Sequence, residues 1–476
     1  MREVIIPFIG RGGNMKDRKF RSPISAGVGF NIKEYRREEG ELFSLAIPIF
    51  LEFLLINIMG NVDIIMLGKT SPEAVGALGG IRQLLLIQNV IFSFICIGTT
   101  ILITQLIGAG KWSEVEGIAD AAIVMNLLIA IVIGGLYIIG YHEILTGMKL
   151  PGELIEIIKY YFRMVGGLCV FQALTMTYSA IMKAHGNTRE VLYINLGVHM
   201  INIMGNTIFI YGLAGMPVLG VTGVGISTIV ARGAGCIVAH RIVKKYYGFT
   251  FKLERVGRRL TEKIKYILTI GFPIGGQHFC WSLAQIIILS FVNTMGTNAI
   301  EARTYLMLVT SFIIAFSLGL GQGTALQVGR MIGSGERESV YKKCIRSTML
   351  ALVIAVTITS IVIFNKNGIM SVFDPSEGVL MIAQQVFIWF LFLESGRVFN
   401  IVIIASLHAA GDIKFPVAVG VVSPLFLAVS LAWILGVGLN LGLIGIWAAN
   451  GIEEWIRGIT MLIRWRSKKW QNKKLT

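Results

Sequence analysis

Charge is scarce in this sequence. Only 15% of its 476 residues are Asp, Glu, Lys or Arg, while 54% are hydrophobic. Soluble domains carry about 25% charged residues, so a chain this poor in charge cannot clothe a soluble surface. A mean hydropathy of +0.72 excludes an ordinary cytosolic protein. Cysteine is also sparse: Cys96, Cys169, Cys236, Cys280 and Cys344 are odd in number, far apart and mostly inside apolar stretches. That pattern excludes a disulfide framework and a zinc knuckle. There is no HExxH, no GxSxG, no Walker-type phosphate loop and no carboxylate pair in a water-facing domain. The chain is therefore expected not to be an enzyme, to hold no cofactor, and not to pump with ATP by itself. The first forty residues lack an apolar core followed by a small-residue cleavage site, so they do not read as a signal peptide.

What the sequence has is long apolar runs. About 20 such residues cross a hydrocarbon core of about 30 Å. Cut at Gly, Pro and charge, the runs predict spans at 42–67, 83–107, 117–140, 155–181, 190–212 and 219–242, then 266–293, 302–330, 342–365, 379–407, 413–437 and 441–463. The expected fold is an all-α polytopic membrane protein of twelve transmembrane helices. Its domains would be a basic arm (1–41), a six-helix bundle (42–246), a basic linker (247–262), a second six-helix bundle (263–466) and a basic tail (467–476).

The net charge of +16 is concentrated in the arm, linker and tail. No aromatic stacking platform accompanies it, so nucleic acid is not an expected partner. With an even number of spans these three segments share one side, which also receives Lys111, Lys183, Arg189, Arg330, Arg337, Lys342, Lys343, Arg346 and Lys414. By the positive-inside rule that side is cytoplasmic, and both termini lie there.

The two halves resemble each other at a fixed spacing. "LIGAGKWSEV" from Leu106 aligns with "MIGSGERESV" from Met331, an offset of 225; Pro48 then meets Pro273 and Gly186 meets Gly411. Six spans per half leave both copies pointing the same way, related by a pseudo-two-fold along the membrane normal. Transporters built so bind substrate between the halves and alternate access by rocking them.

An ionisable side chain in hydrocarbon costs from about 2.5 kcal/mol upward, so each needs a partner, a wet cavity or a task. Glu52 and Asp63 stand eleven residues apart, near a whole number of turns, so both face one way from span one. Asn195, His199, Asn202 and Asn206 form one polar stripe on span five. Asp63 and Asn206 lie at similar depth, so a carboxylate and two carboxamides can meet there and suit Na+ or a proton. Interhelical glue is the plainer alternative. Glu394 and Arg397, three apart on span ten, are expected near mid-membrane, neutralising each other. Asn57, Gln172, Gln277, His278 and Gln285 are weaker candidates for lining a cavity. His185 and His408 are expected to be solvated at the cytoplasmic ends.

The order of "VDIIMLG", "GAGK", "NIMGNTIFIYG", "GVTGVGISTIV" and "LHAAGDIKFP", together with the duplication, resembles the multidrug and toxic compound extrusion (MATE) family from about Glu41 to Arg466. The resemblance implies a secondary antiporter in the plasma membrane of a prokaryote, exporting small organic cations in exchange for Na+ or H+, with no partner chain. It places coupling at Asp63, Asn202, Asn206 and Thr228, Na+ at Asp63 being the one metal implied, and a helix bend at Pro48. Asn206 departs from the family's carboxylate there. The acidic positions of the other branch are Trp281 and Arg397 here, which leaves Glu52, Glu394 and Arg397 as candidates for a different network. A flippase of lipid-linked or polar precursors and a passive channel are the alternatives.

Overall fold

A backbone in hydrocarbon has no water to bond to, so it must close its own hydrogen bonds, and a single apolar run does this as a helix. The computed structural model describes residues 32–59, 62–68, 72–248 and 260–473, and every regular element among them is helical. The first half comprises α1 (Ile32–Met59), α2 (Val62–Gly68), α3 (Pro72–Gly108), α4 (Trp112–Ile139), α5 (Tyr141–Gly147), α6 (Gly152–Tyr161), α7 (Val170–Ala184), α8 (Thr188–Tyr211) and α9 (Gly220–Tyr247). The second comprises α10 (Leu260–Asn293), α11 (Thr297–Gly333), α12 (Arg337–Phe364), α13 (Lys366–Ser371), α14 (Glu377–Ala409), α15 (Lys414–Val422), α16 (Val429–Ala432) and α17 (Gly442–Arg466).

α1 with α2 makes the first pass, α6 with α7 the fourth, and α15 with α16 the eleventh; α5 and α13 are short connectors. Twelve passes result among the described residues, ten of which are long and apolar enough to cross a membrane on length and composition. The other two are α8 and α17. α8 is diluted by its Asn and His stripe, and α17 carries Glu453, Glu454 and Arg457 at its middle.

The proline expected to bend the first pass does not interrupt it. α1 runs unbroken through Pro48, and residues 60 and 61, between α1 and α2, lie outside the described residues. Passes four and eleven contain π-helical turns at Phe162–Gly166, Ser423–Ala428 and Trp433–Gly438. Such turns are often placed at functional sites.

Of the expected arm, residues 1–31 lie outside the described residues, and the helix already begins at Ile32. Most of the expected linker, 249–259, is likewise outside them. The tail folds back in part: Trp470 is buried and stacks on Trp465, ring centroids 4.4 Å apart.

Each half is a lobe with core clusters of its own, and the two meet along α1 against α11 and α3 against α10 and α11, where Ile267, Ile270 and Ile274 of α10 join a cluster of the first half. Leu42 and Ala46 of α1 pack with Leu320 of α11 and with Val398 and Val402 of α14. The pseudo-two-fold is visible atom by atom. Gln105 Nε2 donates to the Ala409 carbonyl at 2.6 Å, and Arg330 Nη2 donates to the Ala184 carbonyl at 3.0 Å. Gln105 and Arg330 are 225 apart, as are Ala184 and Ala409. A Cβ at Gly108 would collide with the Arg330 carbonyl, and one at Gly333 with the Gln105 carbonyl. Further in, Gly271 sits on the Phe94 carbonyl and Gly98 on that of Ile267. Lys343 reaches Glu39 at 3.5 Å across the same boundary. All these contacts lie in the half of the molecule toward the basic loops, hereafter the basic end.

Two histidines there differ from expectation. His185 is half-buried, its ring 4.0 Å from that of Tyr247 and 6.5 Å from that of Trp112, and loss of water pushes its pKa down to about 4. His408 is buried, 7% exposed. Neither is freely solvated: aromatic rings of its own lobe cover His185, and His408 is enclosed.

Since overpacking a tight contact costs about 1–3 kcal/mol, Gly271→Leu should lower the melting temperature of the detergent-purified protein, whereas Gly276→Leu, with open space at its Cβ position, should not. Equal melting temperatures would show that the lobes are not in close contact.

Candidate functional site

The first pass and α8 run side by side in the same direction, and their polar residues meet in register. Asn195 Nδ2 donates to Glu52 Oε1 at 3.0 Å, and Asn206 Nδ2 donates to Asp63 Oδ1 at 2.6 Å. Both pairs are separated by 143 residues, so the eleven-residue repeat of carboxylates on one helix faces an eleven-residue repeat of carboxamides on the other.

Glu52 is buried and also pairs with Lys183, Nζ to Oε2 at 2.8 Å. Lys183, which its position near a loop marked as a surface cation, turns inward from the last turn of α7. Asp63 is half-buried near the start of α2. Asn206 is fully buried, and its Oδ1 has no hydrogen-bond partner. One turn earlier on α8, Asn202 Nδ2 donates to Thr228 Oγ1 on α9 at 3.1 Å. Asp63, Asn206, Asn202 and Thr228 thus form two adjacent pairs rather than one ring of ligands. His199 is half-buried on the same stripe.

Arg232, on α9 one turn after Thr228, was not singled out from the sequence. Its charge and the Tyr161 phenol reach Asp63. Its Nη1 donates to the Val165 carbonyl at 3.2 Å, inside the π-helical turn of pass four. The π turn breaks the regular ladder and offers that carbonyl to a side chain, so the irregularity positions a cation beside the carboxylate.

In the second lobe, Arg397 Nη1 pairs with Glu394 Oε1 at 2.5 Å, as the spacing on α14 required. The pair is not self-contained. Arg397 Nε also lies 3.4 Å from Glu454 Oε1, and Arg457 Nη2 lies 2.8 Å from Glu454 Oε2. Arg457 Nε stands 2.9 Å from Glu453 Oε1, and Ser423 Oγ, at the head of a π-helical turn, donates to Glu453 Oε1 at 2.6 Å. Glu453, Glu454 and Arg457 carried a legible signal, "EEWIR" inside an apolar run. Glu52 belongs to the other lobe and shares nothing with Glu394 and Arg397, so the network joining those three is corrected to two separate ones, since each charge finds its partner within its own lobe.

The weaker candidates scatter. Asn57 is exposed and bonds the Phe53 carbonyl of its own helix. Gln172 is half-buried on α7. Gln277 is buried, with an unpartnered Oε1. Gln285 Nε2 donates to Asn450 at 3.3 Å, an interhelical bond. Among the described residues no group of three or more His, Cys, Asp or Glu could hold a metal ion, and a lone Asp63 with neutral oxygens nearby suits only a weakly held monovalent ion.

Two parallel six-helix lobes, each with ionisable groups held at its centre and none arranged for bond-making chemistry, define a polytopic membrane transporter. The MatE family model matches the chain twice, over residues 48–208 and 273–434, once in each lobe. The chain belongs to the MATE family of transporters. It is 38% identical over 432 residues to the uncharacterized transporter YisQ of Bacillus subtilis, covering 91% of this chain and 95% of that protein. It is 23% identical over 439 residues to a probable multidrug resistance protein NorM of Thermotoga maritima, covering 91% of this chain and 93% of the relative. Its fold is similar to that of the MATE transporter VcmN of Vibrio cholerae, with a TM-score of 0.83 at 16% identity, covering 92% of this chain and 99% of that one.

Removing one partner of a buried ion pair costs about 3–5 kcal/mol, whereas replacing both by apolar groups is near neutral. Glu52→Leu alone should therefore destabilise the protein in thermal unfolding, and Glu52→Leu with Lys183→Met should recover most of the loss. Additive losses would show that the two charges do not interact.

Proposed function

We propose that this transporter exports organic cations across the plasma membrane in exchange for inward-moving Na+ or H+, by alternating access of its two lobes. The observation that carries the reading is the Asp63 carboxylate held by Asn206 beside a buried, unpartnered carboxamide oxygen. An acceptor left without a donor in hydrocarbon is costly, and a cation or a carboxyl proton would satisfy it. Asp63 lies toward the end opposite the basic one. There α2 packs against α3, α8 and α9 of its own lobe.

The contacts between lobes support rocking. The networks around Glu52, Asp63 and Glu394 are each formed inside one lobe, while Gln105 to Ala409, Arg330 to Ala184 and the buried pair Glu39 to Lys343 cross between lobes at the basic end. Two rigid bodies can therefore separate at that end without breaking those three networks. With the basic end cytoplasmic by the positive-inside rule, this conformation is closed inward. In it Asp63 would accept the coupling ion. Neutralising the carboxylate removes the charge that retains a cationic substrate, and Arg232 nearby keeps the bare site from binding either too tightly. The names of relatives such as NorM support drugs as the substrate class.

A flippase of lipid-linked precursors would want free cationic surface for phosphate. Arg232, Lys183, Arg397 and Arg457 each stand instead against carboxylates of their own lobe.

In inverted vesicles, a fluorescent organic cation should be accumulated when a Na+ or pH gradient is imposed, the two being applied separately. Asp63→Asn should abolish the accumulation while the protein stays inserted. Unimpaired transport by the variant would reject the site, and transport without either gradient would point to a channel. Gln105→Ala combined with Arg330→Ala should raise several-fold the labelling of Thr104→Cys by an impermeant maleimide from the basic end. Unchanged labelling would mean that these bonds do not hold that end shut.

A further inference from the structure

The centre of the second lobe carries an uneven charge count. Glu394 lies near the middle of α14, and Glu453, Glu454 and Arg457 lie near the middle of α17. Glu394, Glu453, Glu454 and Arg457 are 2%, 2%, 5% and 6% exposed, and the side chain of Arg397 is 14% exposed. They form a chain in the order Glu394, Arg397, Glu454, Arg457, Glu453. Three carboxylates face two guanidinium groups. The charges that reach Glu394 are Arg397 and Glu454, and those that reach Glu453 are Arg457 and Glu454. From α10, His278 lies within electrostatic reach of Arg457; from pass eleven, the neutral Ser423 contacts Glu453.

The middle carboxylate is the best supplied. Glu454 is shared by both guanidinium groups and accepts from Asn400 Nδ2 at 2.6 Å. The outer two, Glu394 and Glu453, have one guanidinium each. Asn400 is 3% exposed, and its Oδ1, on the amide already bound to Glu454, has no hydrogen-bond partner.

We infer that this cluster is a proton-carrying site, in which one proton resides on the outer carboxylates, Glu394 or Glu453, and is exchanged during the transport cycle. The proton brings the cluster to neutrality, which a site buried in hydrocarbon demands. Its loss on exposure to water leaves the ionised carboxyl solvated and the proton on water, so charge is balanced in both states. A metal cation fits poorly here, because two guanidinium groups already occupy the carboxylate oxygens and would repel it. The inference deepens the antiport reading, on which the exchange during transport rests, by assigning a proton to the second lobe independently of Asp63.

The test uses the full-length protein in detergent and reads the carboxylic-acid C=O infrared band as pH is raised. The wild type should lose one proton's worth of band. Glu394→Gln leaves two carboxylates against two guanidinium groups, so that band should be absent, and Glu453→Gln should do the same if the first variant fails to fold. Arg397→Gln leaves three carboxylates against one guanidinium, and its band should roughly double. Asp63→Asn should leave the second-lobe band in place. A wild type with no titrating band, or a band that persists in both Glu variants, overturns the inference. Transport of the fluorescent cation in vesicles decides the antiport reading separately. A band lost only in Asp63→Asn overturns the second-lobe site while leaving antiport intact.

Discussion

A charge taken into hydrocarbon must find its counter-charge nearby, and the networks around Glu52, Asp63 and Glu394 find it without leaving their lobes. Glu52 meets Lys183 and Asn195, Asp63 meets Asn206 within reach of Arg232, and Glu394 joins Arg397, Glu454, Arg457 and Glu453. The rest of the architecture depends on that confinement. Because none of these networks straddles the lobe boundary, the boundary is made of glycines, apolar side chains and backbone carbonyls, with the Gln105, Arg330 and Glu39–Lys343 contacts at its basic end.

The boundary in turn shows what a duplicated chain gains from keeping its symmetry. Gln105 and Arg330 occupy equivalent positions and bond equivalent carbonyls, Ala409 and Ala184, and Gly108 and Gly333 clear equivalent space for them. The side chains differ in charge while the geometry is retained. What is preserved is the closeness of approach, which only glycine permits, together with one donor per helix. The lobes differ most in their interiors. The first places single carboxylates against carboxamides; the second runs a continuous chain of charges. Such a division suits a transporter in which one lobe handles the ion or substrate and the other carries a second titrating group.

Parts of the candidate site were legible in the residue order. The eleven-residue spacing of Glu52 and Asp63 put both on one face, and the stripe on α8 supplied carboxamides at matching intervals. Helical periodicity is a local property, so these followed from residue numbers. The π-helical turn that brings the Val165 carbonyl to Arg232 was invisible, because one residue too many in a turn leaves no mark on an apolar run. Lys183 read as a loop cation because sequence position gives the depth of a backbone but not the direction of a long side chain.

The sequence by itself determined that the chain crosses a membrane, how many times, with which side rich in basic loops, and that its halves are copies in parallel orientation. Hydropathy and repeat spacing are properties of the chain alone. The tertiary structure decided which charges neutralise which, that the basic end is shut, and that three carboxylates share two guanidinium groups in the second lobe. Those facts depend on distances between helices far apart in sequence, and a charge is defined in hydrocarbon by what stands a few ångströms away.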